Sequence, residues 1–146
     1  MTALLAALGQ PFSIPPYRSI VTGDLPRPYL VMNVTGINGR SGGVMGIVDS
    51  GADTTTFPFE YASLMGYSPA TLTQETFTQA AGNGVGYRAT QQCTAVVPEI
   101  PLKVVQMMPS FIQGAQMVLR GRTDFMRAFE VAFHETQQRF TITAIG

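Results

Sequence analysis

The chain has 146 residues, enough to bury the core of a single domain, and its apolar fraction of 45% argues against disorder. A formal net charge of zero disfavours a general binder of nucleic-acid phosphates. The lone Cys93 and the lone His134 exclude an intrachain disulfide, a cysteine-based zinc site and a multi-histidine site within one chain. We therefore predict a protein without a metal or a cofactor.

The N-terminal segment carries no predicted membrane span. Its longest apolar run, Ala3 to Leu8, is far shorter than the roughly 20 residues that a spanning helix needs. No Lys or Arg precedes this run, which disfavours a signal peptide, and we expect a cytoplasmic protein. Ile14-Pro15-Pro16 is typical of extended chain. We predict an arm or linker over residues 1–16 and one folded domain over residues 17–146.

The first part of the predicted domain has the pattern of a β-hairpin followed by a polar turn. Tyr29 to Ile37 alternates and is rich in Val and Ile, which predicts a strand. Asn38 to Gly43 predicts the hairpin turn, because Asn-Gly is a strong turn signal. Val44 to Val48 predicts the returning strand, which stops at Asp49.

The rest of the chain predicts further short strands and two short helical segments. The strands are Thr71 to Thr78, Tyr87 to Val97, Leu102 to Met107, Met117 to Leu119, Val131 to Phe133 and Phe140 to Ile145. The helical segments are Phe59 to Met65 and Thr123 to Phe129. Ala80 to Gly86 is rich in glycine and predicts the mobile tip of a long hairpin. Many short strands with turns between them indicate a mainly β fold.

The most informative stretch is the polar turn after Val48. There an apolar strand delivers Asp49 into a tight Ser50-Gly51 turn, whose amides and hydroxyl can fix the orientation of the carboxylate. Two such carboxylates that face each other cannot both ionise, so they share a proton. One then acts as a base on a water molecule, while the other polarises a scissile carbonyl as an acid.

The tetrapeptide Asp49-Ser50-Gly51-Ala52 resembles the active-site motif of aspartic proteases. The order of elements over residues 27–145 resembles that of the single-lobed, retropepsin-like members of that class. A hairpin precedes the motif, a Gly-rich flap follows at Phe77 to Tyr87, and an apolar-Gly-Arg stretch with a short helix covers Val118 to Met126. The resemblance implies an all-β, retropepsin-like acid protease barrel with one short C-terminal helix.

By this resemblance the protein is an aspartic endopeptidase that cleaves a peptide or protein substrate. One motif per chain supplies only one of the two aspartates, so the resemblance implies a homodimer with the catalytic Asp49 of each chain on a two-fold axis. The active-site loop consists of Ser50, Gly51, Ala52, Asp53 and Thr54. The flap that closes over the substrate consists of Ala81, Gly82, Asn83, Gly84, Val85 and Gly86.

The late Gly121-Arg122 pair is expected to support the active-site loop, with Arg122 in an ion pair with Asp53. Two features depart from the family pattern. Arg120 stands where the family usually places an aliphatic residue, and Thr123 is an added residue between Arg122 and Asp124. Both departures affect the turn rather than the catalytic motif.

Other interpretations of the same residues remain open. The same fold could serve as a dimerisation or peptide-binding module with weak or no proteolysis. The domain could instead be a processing unit that cuts only its own linker. Asp49 alone is also compatible with an ordinary turn that ends a strand, Asp53 with a solvated turn residue, and the glycines of the flap with a simple loose hairpin.

Overall fold

The computed structural model describes residues 11–14, 17, 19, 25–79 and 82–146. The strands are β1 (Pro11–Ile14), β2 (Tyr29–Thr35), β3 (Ser41–Val48), β4 (Thr56–Pro58), β5 (Leu72–Gln79), β6 (Gly82–Ala89), β7 (Cys93–Val96), β8 (Val104–Met107), β9 (Ser110–Ile112), β10 (Val118–Arg120), β11 (Phe129–His134) and β12 (Arg139–Ala144). The helices are α1 (Tyr61–Leu64) and α2 (Phe125–Ala128), and 3-10 turns cover Pro69–Thr71 and Glu135–Gln137. The prediction of a mainly β fold with a short helix near the C-terminus is confirmed.

The strands form two sheets. The larger has nine strands in the order β5-β6-β9-β4-β10-β3-β2-β7-β8, and the smaller has the order β1-β12-β11. The larger sheet is curled into a half-barrel rather than a closed barrel. Most of its pairs are antiparallel, but β10 runs parallel to β3, and β4 runs parallel to β9.

The burial pattern of β2 and the turn residues Asn38 and Gly39 account for the hairpin of β2 and β3. Leu30, Met32 and Val34 of β2 are buried in the core, whereas Val31 and Asn33 between them face solvent. Gly39 adopts a positive φ of 80°, a conformation that glycine accepts without strain. The Asn38 side chain accepts a hydrogen bond from the Arg40 amide at 3.1 Å, which closes the turn.

The core lies beneath the larger sheet and is rich in aromatic rings. Phe57 of β4 and Phe111 of β9 are fully buried, with ring centroids 5.8 Å apart. Tyr67 packs on Phe111 at 5.2 Å. The smaller sheet adds Phe140 and Ile142, which are also fully buried. The contacts of Phe57, Phe111 and Tyr67 hold together β4 and β9, which are neighbours in the larger sheet.

Several elements differ from their predicted extents. The predicted strand Tyr87 to Val97 is two strands, because the chain turns at Thr90 and Gln91 between β6 and β7. Gly82 to Gly86 lies within β6 and pairs along its length with β5, so these residues extend a strand of the hairpin and do not form its tip. Their amides and carbonyls bond across the hairpin, which outweighs the poor strand propensity of glycine. The remainder of the predicted tip, Ala80 and Ala81, lies outside the described residues.

Three of the described strands, β1, β4 and β9, were not among those predicted. β9 is only three residues long, and its Ser-Phe-Ile sequence gives no alternation to recognise. β1 lies within the predicted N-terminal arm and pairs with β12, with Phe12 opposite Ile142. The division of the chain at residue 16 stays a prediction. None of the helices in the described ranges is long and apolar enough to cross a membrane.

Candidate active site

The candidate site begins where β3 ends, at Asp49. The Asp49 amide donates to the carbonyl of Arg120 at 3.1 Å, which continues the parallel pairing of β3 with β10. One carboxylate oxygen of Asp49 then accepts a hydrogen bond from the Gly51 amide at 2.8 Å. The Ala52 amide donates to the Asp49 carbonyl at 3.2 Å and closes the turn. The sequence-predicted turn thus holds the carboxylate in one orientation.

A close approach of two backbones fixes the loop from its far side. A Cβ atom built on Gly121 would lie only 2.2 Å from the carbonyl carbon of Thr54. No side chain fits in that space, so glycine is required at position 121. This contact follows from the position of β10, which lies between β3 and β4 and pairs with both. Gly121 therefore contacts the loop at Thr54 with its backbone, at a distance that only a residue without a side chain allows.

The contacts between the two loops are made by their backbones. The Arg122 amide donates to the carbonyl of Ala52, and the Thr123 amide donates to the carbonyl of Asp53, both at 2.9 Å. Within the described ranges, Asp53 and Arg122 do not form the ion pair that we expected, and both residues are exposed. Thr123, the added residue of this turn, supplies one of the two bonds.

Asp124 supplies the side-chain support that we assigned to Asp53 and Arg122. Its carboxylate accepts hydrogen bonds from the Thr55 amide and hydroxyl, at 3.2 and 2.8 Å. It also accepts from the Phe125 amide at 2.7 Å, so it caps α2. The Thr55 hydroxyl in turn accepts from the Gly121 amide at 3.3 Å. The only sequence signal for this role was the position of Asp124 near the start of the helical segment predicted over Thr123 to Phe129.

Arg120 occupies the core beside this loop. Its side chain is fully buried and runs back along β3, past Gly46, to donate to the Val44 carbonyl at 2.7 Å. A Cβ atom on Gly46 would lie 3.0 Å from the Arg120 Nε atom, so the glycine makes room for the guanidinium. Burial lowers the pKa of Arg120 to about 10, although the nearby Asp124 acts in the opposite direction.

The carboxylate of Asp49 lies in a cleft of about 810 Å³. Four further residues of the predicted loop line it: Gly51, Ala52, Asp53 and Thr54. The opposite wall is formed by the hairpin of β5 and β6, through Glu75, Phe77 and Arg88. The segment from Ile112 to Met117 closes one side. This wide, solvent-accessible groove has room for an extended peptide.

The hairpin contributes different residues from those predicted. Glu75, Phe77 and Arg88 were not among the candidate site residues, because the sequence does not show which face of each strand meets the cleft. Of the predicted flap residues, Gly86 affects the cleft through Phe77, which lines it. The ring of Phe77 lies over Gly86, so close that a Cβ atom at position 86 would be 2.2 Å from the ring. Gly84 and Val85, the other flap residues whose burial is described, do not line the cleft.

Ser50 lies on a second concave surface, next to the cleft. This groove has a volume of about 580 Å³ and is lined by Ser50, Met126 and residues of β11 and β12. Its apolar residues include Phe133 and Ile145, which are 39% and 43% exposed. Neighbouring residues of the motif, Asp49 and Ser50, therefore face two different grooves.

The described residues contain no group of three or more His, Cys, Asp and Glu side chains that could hold a metal ion. Cys93 is buried in β7, and His134 is exposed at the end of β11.

A search of solved structures finds the same fold in a retropepsin-like aspartic protease from Rickettsia conorii. The two structures superpose with a TM-score of 0.62 at 15% sequence identity, over 90% of this chain and 98% of the other. At this identity the likeness concerns the fold. No protein-family profile and no curated protein matches the sequence.

Proposed function

We propose that this protein is an aspartic endopeptidase in which Asp49 of each of two chains activates a water molecule. The observation that carries the proposal is the placement of Asp49. Its carboxylate is held by the Gly51 amide at the floor of a peptide-sized cleft. The similarity of the fold to a retropepsin-like aspartic protease supports the same function.

The dimer is part of the proposal, because this chemistry needs two carboxylates and the motif occurs once per chain. The apolar groove beside Ser50 supports a second copy of the chain as its occupant. Phe133 and Ile145 expose apolar surface there, and burial of such surface favours association. A partner docked at Ser50 would bring its own loop close to Asp49, since the two residues are adjacent.

In the proposed mechanism the two Asp49 carboxylates share one proton. The ionised one takes a proton from a water molecule, and the protonated one donates a hydrogen bond to the scissile carbonyl. The Gly51 amide keeps one oxygen of Asp49 fixed during these steps. The substrate lies extended along the cleft and pairs with backbone groups of the hairpin. Closure of the hairpin excludes water other than the attacking molecule.

The test compares wild-type protein with Asp49→Asn and with Glu60→Gln, a control that makes the same carboxylate-to-amide change. Glu60 is exposed and precedes α1, away from the cleft. Each protein is incubated with a diverse peptide library from about pH 4 to pH 8, with and without pepstatin, a transition-state mimic. We expect Asp49→Asn to lower cleavage at least about a hundredfold, and Glu60→Gln to leave it unchanged.

Three outcomes would contradict the proposal. Equal cleavage by wild type and Asp49→Asn would show that another group, or a contaminant, cuts the peptides. Absence of cleavage by a folded wild-type dimer would favour the peptide-binding or dimerisation module instead. Sedimentation of the same samples gives the oligomeric state. A monomer that cleaves peptides would contradict the shared pair of carboxylates.

A further inference from the structure

A row of residues on the cleft side of the larger sheet brings together one cation and two hydroxyl groups. The strand registers pair Arg88 of β6 with Ser110 of β9, and Ser110 with Thr56 of β4. Paired residues on neighbouring strands point to the same face of a sheet. Arg88 and Thr56 both line the cleft. Ser110 therefore lies between them on the same face of the sheet, fully buried below the surface of the cleft.

The polar groups of this row lack partners. Ser110 is fully buried, and its hydroxyl has no hydrogen-bond partner. Among the described residues, the side chains of Arg88 and Thr56 form no hydrogen bond or ion pair either. Buried polar groups in proteins are nearly always satisfied, so the unpaired Ser110 hydroxyl on a strand next to the unpaired Arg88 side chain points to a missing partner.

Glu75 is the acidic residue closest to Arg88 along the hairpin. The register of β5 and β6 places Glu75 opposite Gly86 and Thr73 opposite Arg88, so Glu75 and Arg88 are diagonal neighbours on one face. Such neighbours are about 7–8 Å apart at their backbones. Within the described structure the two side chains form no ion pair. The guanidinium thus remains available to a ligand in the cleft.

We propose that Arg88, Thr56 and Ser110 form a subsite for a carboxylate side chain, so that the cleft selects substrates with Asp or Glu at one position. A guanidinium binds a carboxylate through two parallel hydrogen bonds, and the hydroxyls can donate to its remaining lone pairs. This specificity belongs to the cleft of the proposed protease and therefore rests on the proposed function.

The subsite lies away from the reacting bond. Leu119 pairs with Thr56 and is next to Arg120, whose carbonyl binds the Asp49 amide. From Leu119 to Arg88 the sheet advances three strands, or roughly 14 Å at about 4.8 Å per strand. About four residues of an extended peptide span that distance. The selected acidic residue is therefore expected within about four residues of the cleaved bond.

The first test is a cleavage profile. A library randomised over about four residues on each side of the cleaved bond is digested by wild-type protein, Arg88→Gln and Glu75→Gln. We expect wild type to prefer Asp or Glu over Asn or Gln at one position by about tenfold. Arg88→Gln abolishes this preference and Arg88→Lys restores part of it, whereas Glu75→Gln keeps or increases it. Arg40→Gln, at an exposed turn outside the cleft, is the matched control and keeps the wild-type profile.

A binding measurement tests the carboxylate subsite independently of peptide cleavage. Immobilised Asp49→Asn protein leaves peptides intact, so the peptides that it captures from the library can be identified by mass spectrometry. Captured peptides enriched in Asp or Glu, with the enrichment lost when Arg88→Gln is added, support the subsite. If this result accompanies absence of cleavage by wild type, only the proposed protease activity is wrong.

Three results would overturn the subsite. The first is capture of acidic and amide peptides in equal amounts, or of no peptide. The second is an acid preference that survives Arg88→Gln. The third is a preference for Lys or Arg that disappears in Glu75→Gln, which would make Glu75 the residue that selects charge.

Discussion

The carboxylate of Asp124 accepts hydrogen bonds from both the amide and the hydroxyl of Thr55, at 3.2 and 2.8 Å. These residues are buried and 69 positions apart, so the pair joins the active-site loop to the start of α2. Removal of the carboxylate leaves two buried donors of Thr55 without a partner and removes the counter-charge of Arg120. We expect Asp124→Ala to lower the free energy of unfolding by about 3 kcal/mol or more.

Urea denaturation measures this loss, and Asp53→Asn is the control. Asp53 is exposed and its side chain has no hydrogen bond among the described residues, so its change is expected to stay within about 0.5 kcal/mol. Equal effects of the two variants would show that Asp124 does not support the loop.

Gly121 gives a steric prediction at the same loop. Its Cα lies so close to Thr54 that an added Cβ would be 2.2 Å from the Thr54 carbonyl carbon, and backbone atoms cannot move aside cheaply. We expect Gly121→Ala to destabilise the fold by at least about 2 kcal/mol and to lower peptide cleavage, because β10 and the loop must separate. Gly42→Ala is the matched control. Position 42 in β3 has open space around it, so thermal denaturation of that variant is expected to match wild type. Wild-type stability of Gly121→Ala would contradict the close approach.

The local part of the site could be predicted from the sequence because it depends on neighbouring residues. The apolar residues up to Val48 indicate the strand. The turn that holds Asp49 depends on Gly51, whose amide binds the carboxylate of Asp49 two residues earlier. The resemblance to a retropepsin-like fold likewise rests on the order of elements, which the sequence displays directly. Both predictions agree with the structure at the level of the fold.

The remote part of the site could not be predicted, because it depends on strand order and register. Arg88 meets Ser110 only because β6 pairs with β9, a strand too short to recognise. Asp124 supports Thr55 only because β10 inserts between β3 and β4. Neither of these two contacts produces a periodic pattern in the sequence from which it could be predicted. We predicted that the side chains of Asp53 and Arg122 join the two loops through an ion pair. In the structure the backbone groups of these loops make the contacts instead.

Arg120 provides a prediction about a buried charge. Burial lowers the pKa of Arg120, which shows that desolvation outweighs its favourable interactions, and its Nε and Nη1 atoms have no hydrogen-bond partner. A methionine of similar length removes the charge while Asp124 keeps its three hydrogen bonds. We expect Arg120→Met to change the free energy of unfolding by less than about 2 kcal/mol, because the gain from removing a desolvated charge is opposed by the loss of the counter-charge of Asp124.

The contrast variant is Arg120→Ala, which also removes the charge but leaves a cavity. Its expected loss is about 2–4 kcal/mol, measured by the same urea denaturation. A loss above about 2 kcal/mol in Arg120→Met would instead show that the charge itself stabilises the core.

The raised pKa values of Cys93 and Tyr67 lead us to expect that the free energy of unfolding falls in alkaline solution. Burial raises the pKa of the Cys93 thiol above its ordinary value of 9.0. Burial, with a smaller effect of Cys93, raises the pKa of Tyr67 above 10.0. Above these values the unfolded chain loses protons that the folded chain keeps, so stability falls as the pH rises. We expect the fall to begin as the pH passes about 8–9.

Urea denaturation at a series of pH values measures this fall. Below about pH 10 the lowered pKa of Arg120, which has the opposite effect, does not yet contribute. Cys93→Ala is expected to flatten the slope between about pH 8 and pH 10, and Tyr67→Phe to flatten it from about pH 10 upward. An unchanged slope in Cys93→Ala would rule out the thiol as its source.

Phe77 and Gly86 give a prediction about the wall of the cleft. The Phe77 ring lies over Gly86, and a Cβ at position 86 would be 2.2 Å from the ring. Gly86→Ala must therefore move the ring, whose position in the cleft determines the space left for the substrate. We expect Gly86→Ala to lower kcat/KM for peptides by about tenfold or more, while stability changes by less than about 1 kcal/mol. Adding Phe77→Ala relieves the clash, so the double variant is expected to match the single Phe77→Ala variant rather than to add a second loss. Additive losses would show that Gly86 acts independently of the ring.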